Sequence, residues 1–186
     1  MRLATLAEGG RDGTLIVVSS DNARFLRAPI ATMQAALEQW DAGSTVLSVL
    51  SARLAAGDGE PLGGQQLAAP LPRAWQWLDG SAFASHGTLM DSVLGISPQQ
   101  TGLPLMYQGM SHQFLGPNDD VALPDEALGI DFEGEFGVIV DEVPMGTSAA
   151  DGMRHIKLLV QINDWSLRKL AGPEMKTGFG WVQAKP

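Results

Sequence analysis

Asp131, Glu133 and Glu135 occupy every second position of the segment Gly129-Ile-Asp-Phe-Glu-Gly-Glu-Phe-Gly-Val-Ile-Val140. The second half of that segment is a β-branched, apolar run, which predicts a strand. Side chains alternate between the faces of a strand, so the three carboxylates are expected to point the same way. Neighbours on one face stand about 7 Å apart. At an effective dielectric of about 20, each adjacent pair repels by roughly 2 kcal/mol. A hard dication such as Mg²⁺ or Ca²⁺ removes that repulsion and prefers oxygen ligands. The alternative is a solvated strand edge, where water screens the charges.

Other residues have types and spacings suited to chemistry. Asp79 and His86 lie seven positions apart; if the stretch is helical, two turns bring acid and imidazole onto one face. The competing expectation is that Asp79 caps a helix and His86 lies on its surface. Asp164 keeps the parity of Ile156, Leu158, Val160 and Ile162, so it is expected to face inward at a strand end. There it is either an N-cap for residues 165–170 or a further oxygen ligand. Arg168 is either a surface cation or an anchor for an anionic substrate. His112 and His155 have no acidic partner at metal-ligand spacing and read as structural or exposed. Gly178-Phe-Gly180 lacks the glycine spacing of a phosphate loop. The five tryptophans fit core and hinge packing, because few basic residues stand near them to make a nucleic-acid platform.

These side chains need a scaffold. At 186 residues with 45% apolar content, the chain is long enough for one domain or slightly more with a sizeable core. A formal charge of −9 argues against nucleic acid or an anionic membrane as partner. With no cysteine, disulfides, thiolate metal sites and cysteine nucleophiles are excluded. No signal-peptide pattern or long apolar run is present, so a cytoplasmic location is expected.

Residues 1–6 and 14–19 predict a hairpin about the turn Glu8-Gly-Gly-Arg-Asp-Gly13. Helical spacing follows over 30–40, and Ser44 is placed to cap a second helix bearing Val46, Leu47, Leu50 and Leu54. The Gly-rich stretch 57–64 reads as a linker closing a small N-terminal α/β module, residues 1–64. Beyond it a helix is expected over 83–94, a short strand over 121–123, a helical turn over 148–153 and a strand over 156–163. Short strands separated by turns predict an α+β fold or mostly-β roll, not a doubly wound sheet. The last residues, Gln183-Ala-Lys-Pro186, read as an interruption inside a domain.

An ordered set of segments is similar to the fumarylacetoacetate hydrolase family, in its bacterial fumarylacetoacetase-like branch. It comprises Asp79-Gly-Ser-Ala-Phe-Ala-Ser-His86, Leu105-Met-Tyr-Gln-Gly-Met-Ser-His-Gln-Phe-Leu-Gly-Pro117, Ile130-Asp-Phe-Glu-Gly-Glu135, Pro144-Met-Gly-Thr147, Asn163-Asp-Trp-Ser-Leu-Arg168 and Phe179-Gly-Trp-Val-Gln-Ala-Lys-Pro186. The resemblance covers residues 65–186 strongly and the N-terminal module more loosely. It implies an incomplete mixed β-roll catalytic domain over 65–186 and a homodimer.

It also implies that Glu133, Glu135 and Asp164, with Asp79, hold Mg²⁺ or Ca²⁺. His86 matches the general base, Tyr107 a substrate hydrogen-bond donor, and Lys185 the cation beside the metal and the departing carbanion. The helix after His86 lacks the arginine usual in relatives, which leaves Arg168 to recognise the substrate carboxylate. Ser111-His112-Gln113 stands where a pair of aspartates is common. The catalytic carboxylate that orients the histidine is expected beyond residue 186, so the chain alone is expected to be inactive.

The implied reaction is hydrolysis of a C–C bond in a 1,3-diketo acid of the fumarylacetoacetate or acylpyruvate class. The alternatives are a decarboxylase, isomerase or hydratase of a small 2-oxo acid on the same fold, and a non-catalytic cation-binding fragment.

Overall fold

The structure is a computed structural model that describes residues 1–94 and 105–185. Strand and helix are mixed throughout, as an α+β fold requires. The described residues group into two units. The first comprises residues 1–74, 112–121 and 136–160; the second comprises 75–94, 105–111, 122–135 and 161–185.

The first unit is built on a four-stranded antiparallel sheet in the order β1 (Arg2–Leu6), β2 (Thr14–Val18), β3 (Arg24–Arg27), β4 (Glu60–Pro61). β1 and β2 pair from Arg2 opposite Val18 to Leu6 opposite Thr14. Gly13 sits in their connection at φ +64, where a Cβ would collide with the Leu6 carbonyl and the Thr5 side chain, so only glycine closes this turn. β2 is buried on both faces. Leu15 and Val17 pack with Met33, Ala36, Leu37, Leu47, Leu50 and Leu54. Ile16 and Val18 pack with Leu6 and Phe25 on the other side.

The helical residues come from α1 (Met33–Glu38), capped by the Thr32 hydroxyl, and α2 (Trp40–Ala55). The second helix starts four residues before Ser44, whose hydroxyl instead donates to the Asp41 carbonyl. The expected cap therefore lies inside the helix, at its fifth residue.

The second unit contains β5 (Leu78–Gly80), α3 (Ala84–Leu94), β6 (Met106–Gln108) and β7 (Ile130–Asp131). It ends with β10 (Ser166–Leu167) and α5 (Arg168–Thr177). In chain order β8 (Gly134–Val140), α4 (Ala149–Gly152, capped by Ser148) and β9 (Ile156–Asn163) fall between β7 and β10, and their residues within 136–160 belong to the first unit. β8 and β9 pair as a two-stranded sheet. The strand expected over 121–123 does not form; irregular chain leads to a 3₁₀ turn at Glu126–Leu128. Pro124 cannot donate to a ladder, and three residues gain too few hydrogen bonds to hold a strand without a partner. Among the described residues, no helix is long and apolar enough to cross a membrane.

Candidate functional site

Two short antiparallel ladders, both in the second unit, carry the charged residues. In the first, β5 pairs with β6 and sets Asp79 opposite Tyr107. In the second, β7 pairs with β10 and sets Asp131 opposite Ser166. Backbone bonds continue this register on both sides, from the Asp164 amide to the Glu133 carbonyl (2.9 Å) and from the Arg168 amide to Gly129 (2.9 Å). Alternation then gathers Asp131 and Glu133 from one strand with Asp164, Ser166 and Arg168 from the other.

Burial follows the same parity. Asp131, Glu133 and Glu135 are partly buried, whereas Phe132 and Phe136 are 57% and 81% exposed. Carboxylates ordinarily take the solvent side of an amphipathic strand and aromatics the inner side. Here the order is reversed, and the Glu133 side chain is only 15% exposed. A solvated edge does not describe this strand.

The inward charges are matched by hydrogen bonds. Lys185 Nζ donates to Glu133 Oε1 at 2.8 Å and to Asp164 Oδ2 at 2.5 Å. Arg168 Nη2 lies 3.0 Å from Glu133 Oε1, and its Nε donates to Asp131 Oδ2 at 2.7 Å. Asp131, Arg168, Glu133, Lys185 and Asp164 thus form a chain of alternating charge. The buried Ser166 hydroxyl also donates to Glu133. The Tyr107 hydroxyl donates to Asp164 Oδ2 at 2.8 Å, and its ring packs on Trp181 with centroids 5.0 Å apart.

A subset of these acids can take a cation. One oxygen each from Asp79, Glu135 and Asp164 lies within 4.8 Å of the others. Crowding marks the group electrostatically. Burial first, then the nearby charges of Asp79, Asp164 and Glu133, push the Glu135 carboxyl up to about 7. Asp79 is also raised by burial, partly offset by its hydrogen bond with Tyr107. Burial works the same way on Glu133, but hydrogen bonds from Lys185 and Ser166 and the nearby cations outweigh it and hold that carboxyl below its usual value. Close, partly desolvated carboxylates that resist joint ionisation fit a hard dication, which supplies the missing positive charge.

The expected site residues are distributed unevenly about this group. Asp79, Glu135 and Asp164 come together, whereas Glu133 adjoins them through Lys185. Asp79 reaches the group from a strand, not from a helix shared with His86. Continuous helix over that stretch is overturned: Asp79 lies in β5, and α3 begins only at Ala84. His86 is exposed on α3 and is outside the three-acid group. Asp164 caps no helix, because β10 intervenes and α5 starts at Arg168 with no side-chain cap. Arg168 is neither a free surface cation nor unpaired; Asp131 and Glu133 engage its guanidinium. The Tyr107 hydroxyl is directed at Asp164.

Two family models match this arrangement of segments. Residues 1–73 match the fumarylacetoacetase N-terminal domain 2, and residues 76–186 match the fumarylacetoacetate (FAA) hydrolase C-terminal domain. The chain belongs to the fumarylacetoacetate hydrolase family. No curated protein matches it. Membership in the fumarylacetoacetate hydrolase family makes this a chain of the hydrolase/isomerase enzyme type, and its acidic triad is a possible metal site of such an enzyme.

Three residues of the site have no role implied by the sequence, although Ser166 and Trp181 lie within the segments that resemble the family. Ser166 shares the parity of Asp164, a signal available in the sequence. Trp181 and Glu174 give no such signal. Glu174 acts on backbone amides far along the chain: its carboxylate accepts from Gln183 N at 3.0 Å and Ala184 N at 2.8 Å.

Proposed function

We propose that the protein is a divalent-metal-dependent hydrolase cleaving a carbon–carbon bond in a 1,3-diketo acid of the fumarylacetoacetate or acylpyruvate class. Residues 65–186 are assigned to its catalytic β-roll and residues 1–64 to a supporting module. The observation that carries the reading is the convergence of Asp79, Glu135 and Asp164 oxygens within 4.8 Å beside the Lys185 ammonium. These acids, with Glu133 adjoining, would hold Mg²⁺ or Ca²⁺. When bound, the ion supplies Lewis acidity toward the dicarbonyl.

The chain's own groups do the rest. Tyr107, through its hydroxyl, fixes the Asp164 carboxylate. His86 takes a proton from water, whose oxygen adds to the acyl carbonyl. The bond between that carbon and the neighbouring methylene breaks, and its electron pair leaves as an enolate. Lys185 stabilises the negative charge that develops on this leaving fragment, a role suited to an ammonium already held by two carboxylates. The proton that His86 took from water passes to the enolate carbon and completes the second product. Incubation of the complete protein with acetylpyruvate and Mg²⁺ tests the reading: equal amounts of pyruvate and acetate are expected.

One observation favours a second reading. His86 is exposed and outside the acidic group, and decarboxylation or isomerisation of a 2-oxo acid needs no base-activated water. Carbon dioxide release, or a rearranged acid without pyruvate, would select that chemistry instead.

A further inference from the structure

Lys185 is placed in the site by a segment with little regular structure. Residues 181–185 form a turn in which the amides of Ala184 and Lys185 both donate to the Trp181 carbonyl, at 2.9 and 3.0 Å. Such a turn has few hydrogen bonds to resist opening, and a lysine side chain has many rotamers to lose. Something must hold the turn if the ammonium is to stay between Glu133 and Asp164.

Two contacts do so. The Leu167 amide of β10 donates to the Ala184 carbonyl at 2.8 Å, and Ala184 is fully buried. On the other side, the Glu174 carboxylate takes both the Gln183 and the Ala184 amides. Hydrogen bonds to an ionised acceptor are the strong kind, and two from consecutive amides fix orientation as well as distance. Pro173 precedes Glu174 inside α5. The proline has no amide to donate and restricts the backbone just before the glutamate.

We propose that Glu174 is a positioning residue for Lys185. Its carboxylate grips the backbone of 183–184 and thereby delivers the Lys185 ammonium to Glu133 and Asp164. Glu174 itself touches none of the charged groups of the site in the contacts described above, so its effect is transmitted through the turn. The catalytic consequence rests on the function proposed for Lys185; the positioning itself does not.

Amine acylation followed by peptide mass spectrometry separates the two. In Glu174→Ala, Lys185 is expected to react about tenfold faster than in the wild type, as expected when a charge-assisted hydrogen bond to the turn is lost. Lys157 and Lys169 should keep their wild-type rates. Glu174→Gln retains one acceptor oxygen and should fall between, and it serves if the alanine variant fails to fold. A Lys185 rate unchanged in both variants overturns the proposal, and so does a parallel rise at all lysines, which would mean general loosening. In the complete protein with diketo-acid substrate, kcat should fall in Glu174→Ala while KM stays near wild type. Faster labelling with unchanged kcat would uphold the positioning and count against the role given to Lys185.

Discussion

The two units solve opposite problems. In the first, buried side chains are overwhelmingly apolar, with Leu15, Ile16, Val17 and Phe25 fully inaccessible and only Thr5 and Ser19 polar among them. The Thr5 hydroxyl is satisfied by the Pro70 carbonyl at 2.6 Å. In the second, the fully described buried apolar set is small, Leu167, Ala171 and Ala184, and the space around it is taken by carboxylates, an ammonium and a guanidinium. Burial of hydrocarbon stabilises by area and tolerates little change of volume. A partly desolvated charge cluster returns little net stability, because each ion gives up hydration to enter it. What the second unit gains instead is a set of groups whose charges and positions are prepared for chemistry.

The contrast can be broken by substitution. Phe25→Ala should cost about 3 to 5 kcal/mol of unfolding free energy, read from urea melts, while leaving any Mg²⁺-induced stabilisation in place. Lys185→Met should do the reverse. In the complete protein it is expected to lower kcat by about a hundredfold to a thousandfold, the range for loss of one preorganised charge-stabilising group, with a smaller change in the melt. If Lys185→Met instead unfolds the protein as severely as Phe25→Ala, the separation of roles fails.

Two measurements sharpen which acids bind. Mg²⁺ at a hundredfold over its dissociation constant should stabilise the protein by about 2.7 kcal/mol, and Glu135→Gln and Asp164→Asn should each remove that shift in thermal melts. Glu133→Gln should only weaken it, because Glu133 is outside the close three-oxygen group. Equal loss in all three variants would make Glu133 a direct ligand.

The pH dependence follows from Glu135. Its folded carboxyl is raised from the usual 4.5 to about 7 by burial and neighbouring acids, so the folded state holds the proton more tightly than the unfolded one. Stability from this group is present below 4.5 and is lost as pH rises through about 7. Glu133, held low by Lys185 and Ser166 against the effect of burial, contributes with the opposite sign. Without added divalent ion, the wild type should lose stability across that window relative to Glu135→Gln, and Mg²⁺ should protect better as pH rises. The smallest effect expected is Thr32→Ala, about 1 kcal/mol for loss of the cap on α1.

Much of the local architecture was legible without coordinates. Hairpin turn chemistry placed β1 and β2, helical spacing placed α1 within a few residues, the helix expected over 83–94 formed as α3, and alternation placed β9. The same alternation put Asp131, Glu133 and Glu135 on one face, and carried Asp164 inward at the end of β9. Resemblance supplied Lys185 and the ligand role expected of Asp79. Helical spacing misled where it joined Asp79 to His86, since Gly80 and Ser81 end β5 before α3 begins at Ala84.

By itself, then, the order of residues determined periodicities, because the pleat of a strand and the pitch of a helix act over a few positions. It also narrowed the chemistry open to the site, since a chain without cysteine has no thiolate ligands and spaced carboxylates favour hard cations. Only the tertiary structure decided which acids meet: Asp79 opposite Tyr107, Glu133 shared by Lys185 and Arg168, Glu174 on the amides of 183–184. Those partners lie between 9 and 52 residues apart, and bringing such distant groups together depends on backbone pairing and packing that no local pattern encodes.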